Sequence, residues 1–227
     1  MKICRLLSGA LVVLLLSAVL IVSFFGIGEG LGNDALMAKL QSADPREHSS
    51  AVEELRKASD DDTVKALMKV VEERRDDWKL QISAIRLLGD IANPLATDLL
   101  IKVVTDPFFS NECPALKWNG IIALGNFKDD SRVVDALLYR LNEDTLYLRE
   151  AVIQSLGKIG NREALRYMVS ALGDKSFAVR MSALRALGEM GDPDAIPHMK
   201  KVAFNDADPL IREEALRALN LLKLSMR

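Results

Sequence analysis

VRMSALRALGEMGDPDAIP, residues 179–197, is the stretch whose reading decides the fold. Val179, Ala183, Leu184, Leu187 and Met190 recur at three- and four-residue steps, so they share one face of a helix. Gly191 stops that helix and Asp192-Pro193-Asp194 starts another, because glycine is favoured just past a helix end and proline just inside a start. Ile196, Met199 and Val202 line the second helix, with Pro197 in its first turn, where a missing N–H costs little. The stretch reads as a helical hairpin.

The hairpin recurs along the chain. Residues 149–160 read REAVIQSLGKIG and residues 212–220 read REEALRALN. Looser copies begin at Lys117 and Gln81, and the most degraded at His48. Leu55, Leu88, Leu124, Leu156, Leu187 and Leu219 mark the same position in each copy, at spacings of 33, 36, 32, 31 and 32. A single hairpin of this size cannot bury its own stripe, so the copies must stack. Gly89, Gly125, Gly157 and Gly188 fall near the ends of first helices, where the lack of a side chain lets a partner helix approach closely. Asp44-Pro45, Asp60-Asp61-Asp62 and Asp129-Asp130-Ser131 read as linkers, and a short helix over Asp34 to Gln41 reads as an N-terminal cap. The turn and aromatic signals of ankyrin and tetratricopeptide repeats are missing. The pattern of residues 179–197 instead resembles the short HEAT-like repeats of the phycobilisome lyase type, over roughly residues 45–224. The resemblance implies an all-α solenoid of about five and a half hairpins. It also implies an internal Asp–Arg ladder and second helices that line a concave surface. It is specific for fold and unspecific for function.

Ahead of the repeats, Leu6 to Ile27 runs for 22 residues without a charge. As a helix it would span about 33 Å, close to the thickness of a bilayer core. That is longer than the apolar stretch of most cleavable signals, which favours a retained transmembrane anchor. Gly26-Ile27-Gly28 and Gly30-Leu31-Gly32 keep a cleaved signal peptide open as the alternative. Lys2 and Arg5 precede the segment while Glu29 and Asp34 follow it, so either reading places the repeats outside the cytoplasm, in the periplasm of a Gram-negative cell. The expected organisation is a basic cytoplasmic end over 1–5, the anchor or signal over 6–28, a linker and capping helix over 29–44, and the repeat domain over 45–227.

Charge and composition exclude several functions. The net charge is −2, and Lys2 and Arg5 are the only charges in residues 1–28, which leaves −4 for the rest. A mildly acidic body is a poor match for a phosphate backbone, so no nucleic-acid partner is expected. Cys4 and Cys113 are the only cysteines and lie on opposite sides of the apolar segment, which rules out a disulfide framework or a cysteine-rich metal site. His48 and His198 fall in different units, and no metal-binding, phosphate-loop or nucleophile-elbow motif is present. Neither a catalytic residue, a cofactor nor a metal is expected.

Three features remain. Arg149, Arg180 and Arg212 recur in register, with Asp174 and Asp206 six residues before the last two and Glu143 and Asp144 similarly placed before the first. Matching acids favour a ladder that ties unit to unit over an anion site. Next, alignment of the second helices brings Lys69, Lys102, Tyr139, Ser170 and Lys201 into one column, and Lys65, Asp98, Asp135, Arg166 and Pro197 into another four residues earlier. Residues four apart share a helix face, so these columns form a candidate partner-binding groove, or else an ordinary solvated face. Finally, the longest spacing holds the loop Asp106 to Pro114, where Phe108 and Phe109, with Trp118 beyond, form a candidate contact loop or a plug between units. The expected function is a protein-interaction scaffold for an unknown protein partner at the outer side of a membrane. An enzyme-assisting subunit, as the likeness to phycobilin lyases would imply, is the alternative.

Overall fold

Apolar residues at helical spacing give each segment one stripe to bury, and an Asp or Asn ahead of most stripes fixes where its helix starts. The computed structural model describes residues 35–74, 76–107, 109, 113–141 and 145–225. The apolar segment Leu6 to Ile27 lies outside them, as do Phe108, Glu143 and Asp144. Among the described residues no helix is long and apolar enough to cross a membrane.

The chain divides into two units between Ala58 and Ser59. In the first, residues 35–40 are helical and α1 follows over Pro45–Ala58. Asp44 accepts the amide of Arg46 at 2.9 Å, so the Asp-Pro pair is a helix start. His48 Nδ1 sits 2.8 Å from the carbonyl oxygen of Leu40, which joins the short helix to α1.

The second unit begins with α2 (Asp61–Glu73), capped by Asp60, whose carboxylate accepts the Thr63 amide at 2.7 Å. The Asp triplet read as a linker thus forms a cap and a first turn. Then come α3 (Trp78–Ile91), α4 (Thr97–Thr105), α5 (Pro114–Leu124), α6 (Ser131–Arg140), α7 (Leu146–Ile159), α8 (Leu165–Ala171), α9 (Phe177–Met190), α10 (Ile196–Asn205) and α11 (Pro209–Ser225). Single 3-10 turns at Pro94–Ala96, Arg162–Ala164 and Pro193–Ala195 lead into α4, α8 and α10. Each is capped by the Asx residue before it: Asn93, Asn161 or Asp192. Gly160 and Gly191 end α7 and α9 in the left-handed conformation, at φ 71° and 70°. Ala92 holds the same place after α3 at φ 53°, where a Cβ is strained.

First helices α3, α5, α7, α9 and α11 pack in a row, and each second helix packs against the first helix that follows. The marker residues Leu88, Leu124, Leu156 and Leu187 are fully buried. The recurring glycines sit where consecutive first helices meet. A Cβ on Gly89 would lie 2.7 Å from the Cα of Ala123, and one on Gly157 2.9 Å from the Cα of Ala186. Gly188 faces Ala218, and Gly125 faces Ser155, in the same way. The partner that needs the missing side chain is therefore the next unit's first helix.

The ladder exists, with its rungs one unit out of the expected register. Asp174 pairs with Arg149 of the unit before it at 3.3 Å, and Asp206 with Arg180 at 3.0 Å. Six residues is the distance from an arginine to a backbone acceptor instead. Arg180 donates to the carbonyl of Asp174 at 2.9 Å, and Arg212 to that of Asp206 at 2.7 Å. Gln81, in the same column, donates to the carbonyl of Val71 at 2.7 Å. This column satisfies carbonyls left open where the preceding helix ends.

Candidate functional site

A stack that spends its first helices on mutual packing leaves the outer turns of its second helices free. In α2, Val64, Leu67, Val70 and Val71 are buried, which turns Lys65 and Lys69 outward. The same alternation in α4, α6, α8 and α10 exposes every residue of the two columns: Lys102, Tyr139, Ser170 and Lys201 in one, Asp98, Asp135, Arg166 and Pro197 in the other.

Their surroundings differ along the stack. Lys65 and Lys69 approach Asp62 and Glu73 of their own helix at 3.2 Å and 3.9 Å. The Lys102 ammonium lies 6.0 Å from the centre of the Phe109 ring. Tyr139 is 66% exposed, with the Arg140 guanidinium 5.0 Å from its ring centre. Arg140 itself is buried and donates to the carbonyls of Val104 and Thr105. Ser170 and Lys201 of the first column meet in one cavity, a groove of about 350 Å³ between α8 and α10. Of the second column, Asp135 and Arg166 meet in a cavity of about 570 Å³ between α6 and α8. Beside the exposed row, concave stretches thus lie at α6–α8 and at α8–α10.

Ion pairs fasten the N-terminal turns of the second helices to each other. Arg132 bridges Asp98 and Asp130, and Arg162 reaches Asp192 and Asp194. Asp130 and Asp192 also cap α6 and the 3-10 turn before α10, which fixes their carboxylates at those helix starts.

His198 was not part of either column, yet it lines the α8–α10 groove beside Lys201. A three-residue separation on one helix was the signal for it. The Phe109 ring is buried at 4% exposure, so in this arrangement it fills space inside the stack; Trp118 is half-buried. Trp78 is exposed, with the Lys79 ammonium 5.7 Å from its ring centre. Among the described residues no group of acids, histidines and cysteines is arranged to hold a metal ion.

Repeated hairpins, a glycine-lined first-helix row and an exposed second-helix row define an α-helical repeat protein. The family model for HEAT repeats matches residues 33–109 and 134–220, so the chain belongs to the HEAT-repeat family. Between the two matches lie residues 110–133, which hold α5 and the start of α6. Among curated proteins none matches at a significant level. Among solved structures the chain is similar to the complex of CpcE and CpcF of phycocyanin lyase from Nostoc sp. PCC7120. That likeness has 24% identity and a TM-score of 0.56, over 82% of this chain and 75% of that one. It is also similar to a designed armadillo repeat protein in complex with the peptide (KR)4. Here the identity is 16% and the TM-score 0.56, over 83% of this chain and 98% of that one. Both likenesses are of fold.

Proposed function

We propose that this protein is a non-catalytic scaffold whose second-helix face holds a partner protein, with the repeat stack anchored outside the cytoplasm by Leu6 to Ile27. The observation that carries the reading is the continuous exposed row from Lys69 to Lys201, with open grooves beside it at α6–α8 and α8–α10. The residues of this row are exposed and not buried in the stack. Its mixture of cations, tyrosine and small polar groups suits a protein surface better than a small-molecule pocket. A designed repeat protein of similar fold holds a peptide, which shows what a stack of this kind can do. The non-catalytic part rests on the sequence, where the two histidines fall in different units and no metal-binding, phosphate-loop or nucleophile-elbow motif is present.

The test is site-specific photocrosslinking in intact cells. A crosslinking amino acid at Tyr139 or Ser170 should capture one defined protein, and the same group at Lys158 or Glu189 on the first-helix row should not. Equal capture from both rows, or from neither, would remove the second-helix face as the binding surface. The mass of the mature protein decides between anchor and cleaved signal.

A further inference from the structure

We infer that the edge of the stack where second helices give way to first helices lies on the lipid surface, with its exposed rings at headgroup depth. The inference rests on the reading of Leu6 to Ile27 as an anchor and adds how the anchored stack is held.

Trp78, Leu146 and Phe177 are the first residues of α3, α7 and α9, and Tyr147 and Leu210 are the second residues of α7 and α11. All five are exposed, Trp78 at 49% and Leu210 at 57%. Side chains in the first turn of a helix tilt toward its N-terminus, so these project past the helix ends. Because the first helices pack in one row, the ends lie on one edge of residues 59–227. Phe204 joins them from the last turn of α10, where the chain turns into α11, and is 78% exposed. α5 begins instead with Pro114, which interrupts the row.

The opposite edge is of another kind. Between the first and second helices of each hairpin, Leu95 is the one exposed large apolar side chain among the described residues. Lys128, Asp129, Arg162, Glu163 and Asp194 are exposed there instead. Large apolar groups gathered on one edge mark a contact surface. Neighbouring first helices lie roughly 8–10 Å apart, so the row is too long for a small molecule and suits an extended surface.

The tether selects lipid as that surface. Residues 28–34 separate the apolar segment from the first described helix, a reach of at most about 25 Å. The repeats therefore begin close to the bilayer. Tryptophan and tyrosine, with an apolar body and a polar tip, suit the headgroup boundary. Acids on this edge are engaged within the stack: Asp174 with Arg149, Asp206 with Arg180 and Asp76 with Arg74. Asp77 and Asp208 accept the amides of Leu80 and Leu210. Attachment thus relies on apolar insertion more than on lipid charge. The second-helix row stays open to a protein partner.

The test uses the full chain reconstituted in phosphatidylcholine vesicles whose acyl chains carry bromine at shallow or deep positions. With Trp118→Phe, Trp78 is the one tryptophan left. Its fluorescence should be quenched, more by shallow than by deep bromine, and high salt should not relieve the quenching. Tyr147→Asp with Phe177→Asp should reduce it about twofold or more, with circular dichroism confirming the fold. A reporter on the opposite edge, Leu95→Trp with Trp78→Phe and Trp118→Phe, should not be quenched. Unquenched Trp78, or equal quenching of the two reporters, would overturn the inference. So would a crosslinking amino acid at Phe177 that captures a protein, which gives the edge to a protein partner. Alkaline carbonate extraction reports the anchor separately. A chain that resists extraction without quenching keeps the anchor and loses the edge contact. A chain that is extracted, yet is quenched before extraction, keeps the edge contact and loses the anchor.

Discussion

Gly157 and Ala92 show how much one atom matters in this chain. Alanine at 157 would put a methyl group 2.5 Å from the Ala186 side chain and 2.9 Å from its backbone, and backbone cannot rotate away. Gly157→Ala should therefore destabilise the fold by about 1–3 kcal/mol, measured as a fall in urea midpoint. Ala92 is the opposite case. Its φ of 53° is one that glycine adopts freely, and glycine holds the equivalent place after α7 and α9. Ala92→Gly should stabilise by about 1 kcal/mol. Glu214 makes stability depend on pH. The Arg217 guanidinium, helped by Arg185, holds its carboxyl below the ordinary value of 4.5. A carboxylate depressed in the folded state adds stability that is fully present above about pH 4.5 and lost as pH falls through the lower folded value. Both arginines are more than half exposed, so screening limits the effect, and Glu214→Gln should cost about 1 kcal/mol near neutrality and less below pH 4. Acid titration of the thermal midpoint for both proteins checks the sign.

At the scale of elements, stripe periodicity and Asx-Pro starts were enough to read the hairpins. The 191–197 segment forms a helix end, a 3-10 turn and a helix in the order its residues demand. What a linear reading missed was direction across the stack. Six residues between Asp174 and Arg180 suggested a pair, yet that carboxylate lies nearer the preceding unit's Arg149, and Arg180 reaches the carbonyl of Asp174. Spacing along a chain says nothing about which of two stacked neighbours a side chain will reach. The second-helix columns were legible because outward-facing residues follow from the same stripe. Their uneven grouping was not legible, since it depends on how closely α6, α8 and α10 lie. The rung itself can be tested. Asp206 and Arg180 are both mostly buried, so Asp206→Ala leaves Arg180 unpaired and the Asp208 amide without its acceptor. It should cost about 2–3 kcal/mol. In a double-mutant cycle with Arg180→Met, the two losses should be less than additive.

Within residues 59–227, interactions run from each repeat to the next. Consecutive first helices pack on one another, and each rung joins adjacent units. Stability in such an array is a sum of unit and junction terms. Gly157→Ala and Asp174→Ala together damage the α7–α9 junction twice. In that double variant, hydrogen exchange should lose protection over α9–α11 at lower denaturant than over α3–α5, where the original protein loses both together. The junctions also bear on how this chain can change in length. Each is made from a glycine and a small residue one period later, so a unit duplicated into the interior would meet compatible neighbours on both sides. In α11 Asn220 occupies the place the glycine holds in earlier units, so a helix laid on it would meet a side chain where interior helices meet none. Growth by duplication is therefore easiest within the array.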